Sequence, residues 1–164
     1  MPRFLGAHTI NNGGIHMAVK RAGNAGMTAM QLFTAIPKYY GDKVSIKAER
    51  VERFKAALGE TKIKPKNVVV HAAYVLSVAT PDDDKWVRAA GGLLKEMERS
   101  SAIGAGCVCF HSGSAGASER SESAKRIAKA MIEALQAVDS ETKLLIENTA
   151  GAGRTMGKTA AEIG

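Results

Sequence analysis

Asn67-Val68-Val69-Val70-His71-Ala72 sets three valines between an asparagine and a histidine. A short β-branched run bounded by polar residues reads as a strand, and Pro65 stops whatever precedes it. Downstream, Pro81-Asp82-Asp83-Asp84 places a proline and three acids where a helix dipole favours them. Val87, Ala90, Leu94 and Met97 form the expected stripe of that helix, and Gly104 and Gly106 end it. Residues 106–111 read as the next strand. Ile127, Met131, Leu135 and Val138 mark a further helix, residues 144–148 a further strand, and a last helix begins near Lys158.

The same alternation runs upstream. Residues 4–9 read as a first strand. Asn12-Gly13-Gly14 opens a helix with Ile15, Ala18, Val19 and Ala22 on one face. Residues 29–33 form a second strand. A helix starting near Ser45, a suitable N-cap, carries Val51, Phe54 and Leu58. Five β units with intervening helices imply an α/β fold with a parallel sheet. An open doubly wound sheet and a (βα)8 barrel both accept the pattern, and a barrel needs about 250 residues to close. The expected organisation is one α/β domain over residues 1–164 that stops after the fifth strand.

The chain has 164 residues, 45% apolar and 24% charged, with a net charge of +7. Those figures exclude a disordered tail, a collagen-like chain and a disulfide-dense miniprotein. No apolar run is long enough for a membrane span or a secretory signal, so a cytoplasmic location is expected, nucleoid-associated in a bacterium. Cys107 and Cys109 are the only cysteines and are badly placed to bridge each other, which fits a reducing compartment. Residues 1–66 carry 12 Lys/Arg against 4 Asp/Glu, and no acid precedes Asp42. This excess suggests an anionic partner; a solvated helix face between Lys43 and Lys66 accounts for it equally well.

Polar placement carries the functional signal. His8, His71, His111 and Glu147 end strands one, three, four and five. Side chains alternate along a strand, so Val69 and His71 share a face, as do Cys107, Cys109 and His111, and Leu145 and Glu147. In a barrel such faces point inward, with the active-site mouth at their C-terminal ends. Two histidines and a carboxylate form a catalytic zinc set with an open position for water. Satisfied strand-end residues without metal are the competing account. Cys107 and Cys109 lie deeper and read as core rather than ligands. Gly13-Gly14 and the Ser112–Gly116 loop match no phosphate-loop spacing and read as turns and a helix start. Tyr39-Tyr40 beside Lys38 suits nucleic acid or packing under a loop. Tyr74 is expected to be exposed on a βα loop and Trp86 to be packed.

Gly6-Ala7-His8, Leu32-Phe33-Thr34, His71-Ala72-Ala73-Tyr74, Phe110-His111-Ser112-Gly113-Ser114 and Ile146-Glu147-Asn148-Thr149-Ala150-Gly151-Ala152-Gly153 occur in that order. The set resembles the endonuclease IV family of apurinic/apyrimidinic endonucleases. The resemblance implies a (βα)8 TIM barrel, here with about its first five β units, and up to three Zn²⁺ at its mouth, Mn²⁺ also suiting such ligands. It implies cleavage of duplex DNA 5′ to abasic sites, leaving a 3′-hydroxyl. His71 and His111 would ligate one zinc and Glu147 would bridge it to a second, the three forming the catalytic set. Tyr74, Lys38, Tyr39 and Tyr40 would contact DNA, with no other cofactor and no membrane partner.

Three departures stand out. Ile36-Pro37-Lys38-Tyr39-Tyr40 replaces an N-x-R-x-W-like pattern, Ser112 replaces a proline, and the chain stops before the family's D-x-x-H and H-x-D ligands. A missing C-terminal half or a second copy would then be needed to close the barrel. A xylose-isomerase-like sugar isomerase or epimerase, and a non-catalytic DNA-binding half-barrel, are the alternative readings.

Overall fold

The structure is a computed structural model that describes residues 3–35 and 46–163. Four parallel strands, β1 (Met30–Leu32), β2 (Val68–His71), β3 (Cys107–Phe110) and β4 (Lys143–Ile146), lie side by side in chain order. The helices between and around them are α1 (Ile15–Asn24), α2 (Ala48–Gly59), α3 (Asp83–Ile103), α4 (Arg120–Ala137) and α5 (Ala160–Ile163). This is the α/β architecture of a partial barrel. Among the described residues no helix is long and apolar enough to cross a membrane.

The expected first strand is present in place but short of a full ladder. Residues 5–9 run beside β1 through one parallel bridge, His8 to Gln31. Thr9 N–H donates to Gln31 O at 2.9 Å, and Gln31 N–H donates to Ala7 O at 3.0 Å. Gly6 permits this approach: a Cβ there would lie 2.2 Å from Ala29 O.

Strand alternation sends one set of side chains toward the helices. Leu32, Val68, Val70, Val108 and Phe110 are sealed from solvent and join Ile15, Val19, Phe54, Leu93 and Met97 in one core. Each such side chain contributes about 1.5–3 kcal/mol by leaving water. α1 packs on α2, and α3 on α4. The α1 stripe is as expected from Ile15, Ala18, Val19 and Ala22. The α2 stripe keeps Phe54 and Leu58; α2 begins at Ala48 behind Lys47, and Ser45 lies outside the described residues.

Two stripes need correction. α3 buries Trp86, Ala89, Ala90, Leu93 and Met97, whereas Val87 is exposed and Leu94 only half-buried. Trp86, a larger apolar surface than Val87, turns the helix by one position, and its indole N–H reaches Arg126 O at 3.2 Å. α4 buries Ser123, Ile127, Ala130 and Ala134 and leaves Leu135 exposed. Small residues on that stripe let α4 approach α3 closely.

Helix ends follow from local chemistry. The Asp82 side chain caps α3 by accepting from Lys85 N–H at 2.9 Å. Its carboxyl is held below the usual carboxylate range by that bond and by the Lys85 ammonium. Gly104 closes α3 in the left-handed conformation at φ 73°. An ion pair is buried within α3: Arg99 donates from Nη2 to Glu96 Oε2 at 2.6 Å and from Nε to Thr34 Oγ1 at 3.1 Å. Thr34 donates in turn to Glu96 Oε1. These contacts tie α3 to the chain just beyond β1.

Candidate metal centre

The opposite face of the sheet carries Gln31, Val69, Cys107 and Lys143 in one register layer and His71, Cys109 and Leu145 in the next. One step beyond the strand ends come His111 and Glu147. The C-terminal ends of β2, β3 and β4 thereby deliver His71, His111 and Glu147 to one place. One donor atom from each lies within 4.8 Å of the others, the only such trio among the described residues.

Hydrogen bonding prepares this set for a cation. His71 is buried, and its Nδ1–H donates to Ala72 O at 2.7 Å. A carbonyl only accepts, so Nδ1 is the donor of that bond. Nε2 faces Glu147 Oε2 at 3.0 Å. A ring nitrogen and a carboxylate oxygen at that separation share either a proton or a metal ion between them. A backbone carbonyl behind a histidine is also the usual way of orienting a metal-bound imidazole. His111 makes no hydrogen bond among the described residues, and its ring centroid lies 5.2 Å from that of His71. Two imidazoles and one carboxylate fit Zn²⁺ and other borderline divalent ions.

Aromatic rings wall the site. Phe33 stands edge-on to His71 at 5.6 Å and to Tyr74 at 5.3 Å. Tyr74 is exposed, as expected for a βα loop, and reaches within 5.2 Å of His71 and 6.1 Å of His111. His8 does not occupy a point equivalent to the other strand ends. It pairs with Gln31, one layer below His71, donating from Nδ1 to Gln31 Oε1 at 2.9 Å, and its ring packs on Phe33 at 4.5 Å. Phe33 was not singled out by its motif, since its place between two histidines depends on register. Lys38, Tyr39 and Tyr40 lie outside the described residues.

The cysteines also differ from expectation. Both are free and half-buried rather than core, because they line the less covered face of the sheet. Cys109 S–H donates to Glu147 Oε2 at 3.6 Å. Burial, the Glu147 charge and that bond push the Cys109 thiol up to about 12. Burial raises Cys107 as well, against the opposing pull of Lys143.

Two loops at the mouth are stitched together. Met156 N–H donates to Gly113 O and Ala115 N–H to Arg154 O, both at 2.9 Å, around an antiparallel bridge between Ser114 and Thr155. Gly113 has φ 90°, and a Cβ there would sit 2.1 Å from Ser77 Oγ, so only glycine fits this crossing.

Residues 19–164 match the family described as the xylose isomerase-like TIM barrel. The chain belongs to that family. Within this TIM-barrel family, the likeness to endonuclease IV expected from the motifs is borne out. The Campylobacter concisus protein named probable endonuclease 4 is 32% identical over 162 residues, covering 98% of this chain and 56% of that protein. Endonuclease IV from Thermus thermophilus superimposes with a TM-score of 0.82 at 27% identity, over 98% of this chain and 57% of that one. A D-tagatose 3-epimerase-like protein, with a TM-score of 0.73 at 14% identity, shares the barrel fold. The chain spans about half the length of the curated relatives it matches.

Proposed function

We propose that this chain supplies the metal centre of a divalent-metal-dependent endonuclease that hydrolyses duplex DNA 5′ to abasic sites and leaves a 3′-hydroxyl. The observation that carries the reading is the meeting of His71, His111 and Glu147 at three strand ends, with Nε2 of His71 facing Glu147 Oε2 at 3.0 Å. The names of the relatives support the choice of a nuclease over a sugar isomerase, as does the basic excess of residues 1–66.

His71 and His111 would hold the ion through imidazole nitrogen and Glu147 through carboxylate oxygen; Zn²⁺ is the preferred occupant and Mn²⁺ a compatible one. A bound divalent ion supplies a Lewis acid that makes water a nucleophile near neutral pH and offsets phosphate charge. In the net reaction a water oxygen bonds to phosphorus, the bond from phosphorus to the 3′-oxygen breaks, and the 3′-oxygen takes a proton. The Tyr74 ring is exposed beside both histidines and would stack on a nucleotide at the mouth. Lys38, Tyr39 and Tyr40 join it by their chemistry as DNA-contacting residues. An abasic nucleotide lacks stacking, so turning it out toward the mouth costs little.

The test is a nicking assay on a duplex with one abasic site, with bound zinc counted and Glu147→Gln run in parallel. The expected result is nicking that a chelator abolishes, about one zinc bound by this trio, and loss of both in the variant. Nicking that survives chelation or Glu147→Gln, or a chain that binds no zinc, overturns the reading.

A further inference from the structure

Glu147 receives two contacts on a single oxygen. His71 Nε2 approaches Oε2 at 3.0 Å, and Cys109 Sγ lies 3.6 Å from the same atom. Oε1 accepts no hydrogen bond among the described residues. Register explains how the thiol comes to be there. Cys109 is paired with His71 on one side and Leu145 on the other, and Glu147 lies one layer above Leu145 on the same face. The thiol is therefore the diagonal neighbour of the carboxylate and lies just beneath the donor trio. Diagonal neighbours across strands are within reach of long side chains.

The two contacts have different fates when a cation binds. When Nε2 becomes a ligand its lone pair points at the ion, so it gives Oε2 no hydrogen bond. The S–H of Cys109 is then the one hydrogen bond from the described residues that still orients the carboxylate. A carboxylate only accepts, so the thiol must be the donor. Cys109 is not one of the three residues whose donor atoms gather within 4.8 Å.

We infer that Cys109 is a positioning residue for Glu147: its S–H holds Oε2 in place for cation binding, and its sulfur is not a ligand. The inference rests on the reading of His71, His111 and Glu147 as a metal centre. It assigns a chemical role to a cysteine that the motifs leave unused.

Co²⁺ binding to the full chain tests it, followed by visible and near-ultraviolet absorption, with Cys109→Ser, Cys109→Val and His111→Ala alongside. Circular dichroism checks that each variant is folded. Cys109→Val keeps the volume and removes the donor, and is expected to weaken Co²⁺ binding about tenfold, the low end for residues that orient metal ligands. Cys109→Ser keeps a donor and is expected to restore most of the affinity. The wild-type spectrum is expected to lack a thiolate-to-cobalt charge-transfer band. Such a band makes sulfur a ligand and overturns the inference, as does full affinity in Cys109→Val. Those results leave the metal centre standing. Absence of Co²⁺ binding in the wild type, or binding unchanged by His111→Ala, removes the metal centre and the inference with it.

Discussion

The two faces of the sheet are built from alternate residues of the same four strands, yet they have opposite fates. On the helix side, Val70, Val108 and Phe110 are fully sealed. On the other side Val69, Cys107 and Cys109 are half-buried and Leu145 is 44% exposed. Hydrophobicity of the strand does not separate them, since Val69 and Val70 are adjacent and identical. What separates them is what covers each face. The helices supply the folding energy on one side, while the other leads to the donor trio His71, His111 and Glu147. Polar residues concentrate accordingly: Gln31, His71, Lys143 and Glu147 all belong to the less covered face or its upper rim.

Substitutions can break this contrast. Phe110→Ala is expected to cost about 3–5 kcal/mol in denaturant unfolding, through lost transfer energy and a cavity the packed helices cannot refill. Cys107→Ala, a strand neighbour on the other face, is expected to cost under about 1 kcal/mol, since a half-buried small side chain leaves no enclosed cavity when it is shortened. Equal losses at the two positions would end the comparison. The buried α3 pair extends it, because Glu96→Ala removes the buried carboxylate that Arg99 donates to; unfolding experiments should show about 3–5 kcal/mol lost. His71→Ala should shift the balance, with metal binding lost in a zinc titration and a smaller fall in the denaturation midpoint than Phe110→Ala gives.

Two smaller effects sharpen the picture through pH. Burial raises both thiols of the less covered face, Cys109 to about 12. Neither is expected to react readily with iodoacetamide at neutral pH, despite partial exposure. The raised values favour the folded state while the thiols stay protonated. That contribution is complete below the ordinary thiol pKa and disappears as pH climbs toward about 12 for Cys109. Asp82 works the other way. Its lowered value stabilises the fold above the ordinary carboxylate pKa and is lost as pH falls through the folded value. Acid titration of Asp82→Ala, followed by circular dichroism, should show a shallower loss of stability below about pH 4 than the parent.

The strand-end placement of the candidate ligands was legible because it depends on period two and on position, both visible in the chain. His71, His111 and Glu147 follow directly from three apolar runs with a polar last residue. The α1 stripe was legible because its apolar residues admit one face only. In α3, by contrast, Trp86 and Val87 offer two overlapping stripes, and only packing against α4 selects between them. Glu96 and Arg99 read as surface charges three apart, and nothing local announces that Thr34 completes their burial. The cysteines read as core because they lie deeper along the strand than His111 and free cysteine is usually buried. Their proximity to Glu147 depends on the β3–β4 register, which no single strand encodes.

The stitching of the loops after β3 and β4 bears on timescale. His111 and Glu147 sit at the roots of these two loops, and backbone bonds join Gly113 to Met156 and Ala115 to Arg154. Neither loop can open without breaking the other's bonds, so they form one cooperative unit rather than two independent flaps. Amide hydrogens at Ala115 and Met156 should then exchange with solvent together and slowly, at rates nearer those of the strands than those of surface turns. An ion arriving at the mouth would meet a carboxylate and an imidazole already held at fixed separation, and its capture would spend little entropy on ordering them.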